Sequence, residues 1–582
     1  VKLTALGARR RLIAIVIAIA VIFSVIALRL VDVQAASRSH YVQLGVDQRV
    51  HRITVAPERG SIFDRNGNDL AVSVQRQTIW ADPQVIKHPI EYAAQLAPIV
   101  GLPEADLRAK LSQKKLEFVY IARQVDPGVT SRVRALNLVG VGFTPESKRY
   151  YPSGNLAAPV LGFVGLDNNG LGGLEVGDEK TLAGRPGQIV VERDPQGIEL
   201  PGSAHTVVPT RRGSDLVLTL DQSIQYEAER ALTDQVTATQ AKGGMAITAD
   251  VRTGDILAMV SVDGATPAVP PTPEVPATAT TPEVPAKPGV PAQPPAPSTA
   301  AEHNKPLTDV FEPGSTNKVV TIAAALEAGV VKPDTVLDVP GTIHVYNTDY
   351  SDVDAHPLQM SVADILRDSS NVGTILIARQ LGSQRFDAAL RSFGFGRPTG
   401  LGFPGEAPGI LLPLANYNAT SMASMPIGAG IAVTAMQMLD VYIALANDGV
   451  ARTPRLVEAT IGADGTRHAE PLGPTHRVVS PTTAREMRQM LARVVQSGTG
   501  TKAAIPGYTA GGKTGTARKP PYLPGQYVAS FVGFAPVDNP RLATIVVLDT
   551  PGNGQIYGGD ISAPVFSRIM QSALAVERVP GS

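Results

Sequence analysis

From Leu12 to Leu28 runs a stretch of 17 residues whose one polar member is Ser24. As a helix rising 1.5 Å per residue it spans roughly 25 Å, slightly short of the roughly 30 Å hydrocarbon core of a bilayer. Leu30 and Val31 complete a crossing if Arg29 snorkels. Lys2, Arg9, Arg10 and Arg11 precede the run without an acid among them, whereas Arg29 and Arg38 beyond it are balanced by Asp32 and Asp47. The positive-inside bias predicts a cytoplasmic tail at 1–11, a transmembrane anchor at 12–31 and everything later outside the cytoplasm. A cleaved signal peptide is the rival reading, since Val33-Gln34-Ala35 loosely fits a cleavage site, but Arg29 and Asp32 stand in between. The arginine cluster also speaks against a buried core helix. No other run reaches 18 apolar residues, so the expectation is a single-pass protein with a large outside part.

Composition narrows what that outside part can do. The 582 residues include no cysteine, which excludes disulfide scaffolds, thiolate zinc sites, iron–sulfur clusters and cysteine nucleophiles. Lys plus Arg is 52 and Asp plus Glu is 52, a formal net charge of zero that predicts no nucleic-acid partner. The nine histidines form no HExxH and no acidic ladder suggests calcium, so no metal or other cofactor is expected.

From Val50 to about Leu200 the chain is turn-rich with short apolar alternations, as in Arg59-Gly60-Ser61-Ile62-Phe63-Asp64-Arg65-Asn66-Gly67 and Gly170-Leu171-Gly172-Gly173-Leu174-Glu175. None of these clusters titratable groups as a hydrolytic site would, so 32–212 reads as a structural, mixed and largely extended module. From 213 to 582 the texture differs. Asp221 to Ala241 has helical periodicity, and Met245 to Val251 and Ile256 to Val260 alternate around Thr253-Gly254-Asp255 as a hairpin. An insert at 265–299 then carries 12 prolines and repeats Thr-Pro-Glu-Val-Pro-Ala at 272–277 and 281–286. It reads as a solvated polyproline-type insertion, with partner docking as the lesser alternative. Helices follow at Ser315 to Ala328, Val362 to Arg367 and Val372 to Leu381, then strands at Tyr527 to Ala535 and Leu542 to Asp549 and a last helix from Val565 to Ala575. Strands at both ends predict one α/β (α+β) domain whose central antiparallel sheet is flanked by helices.

Three short patterns could carry chemistry: Ser315-x-x-Lys318, Ser369-x-Asn371 and Lys513-Thr514-Gly515. Singly they are weak, since Ser-x-x-Lys recurs at Ser112/Lys115 and Ser-x-Asn at Ser153/Asn155. Ser112 lies in a charged amphipathic stretch, whereas Ser315 follows Glu312-Pro313-Gly314 and opens an apolar helix. A serine there is ordinarily an N-cap. Yet a lysine in the first turn opposes the helix dipole, and a buried lysine beside another cation can become a base. Lys513 could be that cation. Gly507, Gly512, Lys513 and Thr514 also complete a phosphate-loop expression, but Lys519-Pro520-Pro521 leaves no helix to follow it. Thr509 to Arg518 reads better as a small-residue strand in which Gly515 allows a close approach.

In this order the three patterns resemble those of penicillin-binding proteins and serine β-lactamases. The larger resemblance is to class B penicillin-binding proteins: one anchor, a pedestal (dimerisation-type) domain and a transpeptidase domain. Arg59-Gly60 with Asp64-Arg65-Asn66-Gly67, Arg149-Tyr150-Tyr151-Pro152 and Gly172-Gly173-Leu174-Glu175 look like pedestal motifs. Thr399-Gly400-Leu401-Gly402-Phe403-Pro404-Gly405-Glu406 resembles a further family segment. The Pro-rich insert and Asn317 depart from the family pattern. The resemblance implies a D,D-transpeptidase in which Ser315 attacks the D-Ala-D-Ala amide of a peptidoglycan stem peptide and Lys318 takes its proton. Ser369 would relay a proton, Asn371 would hold Lys318 and the substrate amide, and Lys513 and Thr514 would bind the substrate carboxylate. Gly515 and Thr516 would line the substrate, with the N–H groups of Ser315 and Thr516 as oxyanion hole, and β-lactams would acylate Ser315. It further implies a glycosyltransferase and other division proteins as partners. The Gly-Gly-Leu-Glu and Arg193-Asp194-x-x-Gly197 patterns look more like the septal branch than the elongation branch. A D,D-carboxypeptidase or β-lactamase, a β-lactam sensor and an inactive division scaffold remain the alternatives.

Overall fold

The computed structural model describes residues 5–192, 202, 205–265 and 297–581. The Pro-rich residues 266–296 and the Arg193-Asp194-x-x-Gly197 pattern lie outside the described residues. Helix α1 (Ala5–Val31) takes in the whole apolar run, and its large aliphatic side chains stand exposed. Among the described residues it is the one helix long and apolar enough to cross a membrane.

By contact the chain gathers into two compact units, one of Val1–Glu58, Gln75–Ser147 and Gly184–Arg212, the other of Arg59–Val74, Lys148–Ala183 and Gly213–Ser582. In the first, Val50–Val55 pairs antiparallel with Gly187–Glu192, which pairs in turn with His205–Val208. Gln77 to Ala81 pair with Val119–Val125. Helices Pro89–Val100, Glu104–Leu111 and Pro127–Ala135 lie between these strands in the chain, and a core of Ile79, Leu96, Leu107, Ile121 and Val133 joins them. The module is mixed, as expected, with more helix than its turn-rich texture suggested. Two of those helices begin on a proline, which fits the first helical position because no N–H is needed there.

In the second unit, the glycine-rich patterns build a charged clamp. Glu175 is fully buried and accepts from Arg59 Nε at 2.6 Å and from Arg149 Nε at 2.7 Å, while Arg59 also reaches Glu179 at 2.7 Å. Arg149 Nη1 donates to Gly60 O at 2.7 Å, and Tyr151 donates to Glu175 at 3.3 Å. Titratable groups scattered over more than a hundred positions thus do cluster, as a hydrogen-bonded strut. Asp64 accepts from the amides of Asn66 and Asn68, both at 2.8 Å, and so folds the turn that carries Gly67 at φ +84°.

The same unit holds helices α2 (Gln222–Thr239), α3 (Lys318–Glu327), α4 (Asn371–Leu381), α5 (Ala435–Ala446) and α6 (Ala563–Val576). Its main sheet consists of β1 (Gly243–Asp250), β2 (Ile256–Asp263), β3 (Gly511–Arg518), β4 (Tyr527–Ala535) and β5 (Leu542–Asp549), with Thr299–Ala300 at one edge. The order is Thr299–Ala300, β2, β1, β5, β4, β3, every neighbouring pair antiparallel. Alternate residues of β5 enter opposite cores. Leu542, Val546 and Leu548 share one with Ile224 and Leu232 of α2 and Phe566 of α6. Ala543, Ile545 and Val547 share the other with Val320 and Ala323 of α3 and Leu439 of α5. Covered on both faces, the strands read as continuous apolar runs, and β3 is left as an edge strand whose free side can meet a ligand.

Candidate active site

Glu312-Pro313 leads into a tight turn, Gly314–Asn317, that runs directly into α3. Ser315 sits half-buried on that turn, and the N-cap position of α3 belongs to Asn317. The capping role therefore does not explain Ser315. The turn is fixed from both sides: Thr316 Oγ1 donates to Pro313 O at 2.8 Å, and buried Tyr442 of α5 donates to Thr316 O at 3.2 Å. A Cβ on Gly314 would stand 3.1 Å from Thr516 O, so β3 lies directly against the serine turn. A Cβ on Gly515 would fall 2.3 Å from Ser530 Oγ and 3.0 Å from Pro313 O. The close approach that Gly515 permits is thus made by the chain's own turn, which sets Ser315 beside the edge strand.

Lys318 is the first residue of α3 and is fully buried. Its Nζ donates to Ser369 O and lies 3.3 Å from Ser369 Oγ. Burial brings its pKa down to about 7, opposed by the negative charge of Asp352. Lys513 on β3 is equally buried, and burial together with the nearby Lys318 holds its pKa well below the ordinary lysine value. Two amines so close and so dry cannot both stay charged, which provides a free base at neutral pH. Lys513 Nζ donates to Thr514 Oγ1 at 3.1 Å, and Thr514 Oγ1 lies 2.8 Å from Thr499 Oγ1. Thr516 Oγ1 accepts from the amide of Gly558 at 3.2 Å.

The Ser369-x-Asn371 pattern lies on the turn into α4. Ser369 adopts φ +62°, a left-handed conformation uncommon outside glycine, which turns its carbonyl and hydroxyl toward Lys318. Ser370 caps α4 by accepting from the Gly373 amide at 2.8 Å. The side-chain amide of Asn371 donates to Ser351 O at 2.9 Å, so it ties down the preceding hairpin rather than Lys318. Asp352 organises this corner: it accepts from Ser370 Oγ at 2.7 Å, from the amides of Asn371 and Val372, and from His356 Nε2 at 2.8 Å.

The structure therefore brings Ser315, Lys318, Ser369, Lys513 and Thr516 to one corner, with Thr514 and Gly515 on the strand beside it. The competing copies do not share it. Ser112 ends the helix Glu104–Leu111 with its hydroxyl turned back onto Arg108 O at 2.7 Å, and Ser153 accepts from Gln222. Asp352, His356 and Thr499 escaped the sequence reading because each stands alone in a loop, outside any spaced pattern.

Comparison with known proteins gives the same outline. A family model described as the penicillin binding protein transpeptidase domain matches residues 244–571, and one described as the penicillin-binding protein dimerisation domain matches residues 54–218. The chain is 35% identical over 555 residues to the penicillin-binding protein PbpB of Mycobacterium tuberculosis, covering 90% of this chain and 78% of that one. It is 32% identical over 542 residues to the peptidoglycan D,D-transpeptidase FtsI of Escherichia coli, covering 91% and 85%. Among solved structures, penicillin binding protein 3 from Mycobacterium tuberculosis complexed with aztreonam superposes with a TM-score of 0.67 at 29% identity, covering 91% of this chain and 98% of that one.

Proposed function

The chain belongs to the class B penicillin-binding proteins and is a serine-type peptidoglycan D,D-transpeptidase, and from that premise we propose that it cross-links stem peptides through an acyl-enzyme on Ser315 during septal wall synthesis. The observation that carries the mechanism is the buried Lys318, poised near pH 7 between the serine turn and Ser369. Ser315 Oγ attacks the carbonyl carbon between the two terminal D-alanines while Lys318 Nζ takes its proton. The N–H groups of Ser315 and Thr516 receive the developing oxyanion. The C–N bond breaks as Ser369 hands its proton to the departing D-alanine nitrogen and takes in its place the one held by Lys318, which is left neutral again. An amine of a neighbouring stem then attacks the ester, returns a proton to Ser315 through Lys318, and leaves a new amide. One amide is exchanged for another, so no energy-rich cofactor is needed outside the cytoplasm. Lys513 and Thr514 hold the terminal carboxylate, and Asn371 the substrate amide. β-Lactams enter by the same attack and stay as the acyl-enzyme.

α1 anchors the chain with its N-terminus cytoplasmic and the catalytic unit outside, placed at the division septum beside a glycosyltransferase and other division proteins. The Gly172-Gly173-Leu174-Glu175 clamp pattern supports the septal branch. Incubating the full chain with lipid-linked or glycan-strand donor tests the reaction type. Cross-linked dimer together with released D-alanine is expected; D-alanine without dimer would make it a carboxypeptidase instead.

A further inference from the structure

Asp352 and His356 lie in the loop between the hairpin strand Thr348–Ser351 and the strand Gln359–Ser361, and their side chains are only 4% and 8% exposed. The imidazole is held at both ends. Nε2 lies 2.8 Å from Asp352 Oδ2, and Nδ1 lies 2.9 Å from Pro357 O. A carboxylate and a carbonyl oxygen both accept and neither donates, so each ring nitrogen must carry a proton. Two N–H groups on one imidazole make an imidazolium. The geometry alone thus calls for a His356 cation, and the raised pKa that comes first from Pro357 O and then from Asp352 agrees with it.

The Asp352 carboxylate is shared. Besides His356 it takes the Ser370 hydroxyl and the first two amides of α4, and its charge reaches Lys318. Left bare, that charge would favour the protonated form of Lys318, which is the wrong form for a base. We propose that His356 is a positioning residue for the transpeptidase reaction: as an imidazolium seated on Asp352 it holds the Ser369-Ser370-Asn371 turn and offsets the pull of the carboxylate on Lys318. This rests on the assignment of Lys318 as the base. The charged groups facing His356 are Asp352 and Asp368, and Asp368 is itself paired with Arg367 at 2.7 Å. Those facing Lys318 are Asp352 and Lys513.

His356→Gln keeps a donor for Asp352 and removes the positive charge. Asp352→Asn removes the negative charge. The second-order rate of acylation by a chromogenic cephalosporin, followed from pH 5 to 9 on the full-length protein, separates the electrostatic role from a structural one. For His356→Gln the midpoint of the acid limb should move up by about half a pH unit or more, with the plateau at high pH largely kept. For Asp352→Asn it should move down. A lowered plateau with an unmoved midpoint in His356→Gln, in protein whose melting temperature matches the parent, overturns the inference and leaves the base assignment standing. A parent profile without any acid limb near pH 7 overturns the base assignment, and this inference with it.

Discussion

Lys318 occupies the first turn of α3, where full burial and the helix dipole act against a positive charge and only Asp352 favours it. With its pKa at about 7, the neutral amine predominates above that pH and the ammonium below it. Covalent labelling of the protein by a fluorescent penicillin should therefore slow by about tenfold per unit below pH 7 and level off above pH 8. A rate that stays flat from pH 5 to 9 would contradict this. Lys318→Ala should slow labelling by about 10²–10⁴-fold on the plateau above pH 8, because the amine that takes the hydroxyl proton is gone. Gly515→Ala probes the packing of the serine turn: its methyl would collide with Ser530 Oγ and press on Pro313 O, so β3 and the turn must separate. Labelling should fall at least about tenfold with the melting temperature less affected, since the displaced atoms are those beside Ser315. Ser315, Lys318, Ser369 and Lys513 could be named from the sequence because three patterns, each weak by itself, stand together in the order that the family resemblance expects. Asp352 and Thr499 were not, because what they do depends on loops meeting in space.

At the scale of elements, the strands Tyr527–Ala535 and Leu542–Asp549 fall where the sequence put them, because Asp538-Asn539-Pro540 marks the turn between two unbroken apolar runs. The helix Val362–Arg367 is also where it was expected, begun by a Ser361 cap that accepts from the Asp364 amide. Pro89–Val100 and Pro127–Ala135 were hidden, since the prolines that start them read equally well as turns. The clamp on Glu175 was hidden for another reason: Arg59 and Arg149 lie 116 and 26 positions from their partner, and no local periodicity joins them. Removing its centre leaves the buried guanidinium of Arg149 without a carboxylate and that of Arg59 with Glu179 alone. Glu175→Ala should cost about 3–5 kcal/mol, read as a lowered denaturant midpoint. A loss below about 1 kcal/mol would mean that the clamp is solvated and carries no structural load.

For the molecule as a whole, the sequence announced an apolar helix, a mixed and largely extended module and an antiparallel sheet flanked by helices; each is present, the module with more helix than expected. The insert that interrupts the sheet should be dispensable. Val262 and Asp263 pair with Ala300 and Thr299, so the two ends of the segment already lie side by side and a short connection can join them. Deleting 266–296 should shift the melting temperature by no more than about 2 °C and leave penicillin labelling unchanged. A larger loss of either would mean that the segment packs on the domain. The central claim, that this chain transfers an acyl group through one particular serine, is tested most directly by tryptic mass spectrometry of the penicillin-treated full-length protein. The account predicts a single adduct on Ser315, no adduct in Ser315→Ala, and parent-like labelling in Ser112→Ala. An adduct that maps to any other residue, or that persists in Ser315→Ala, would contradict it.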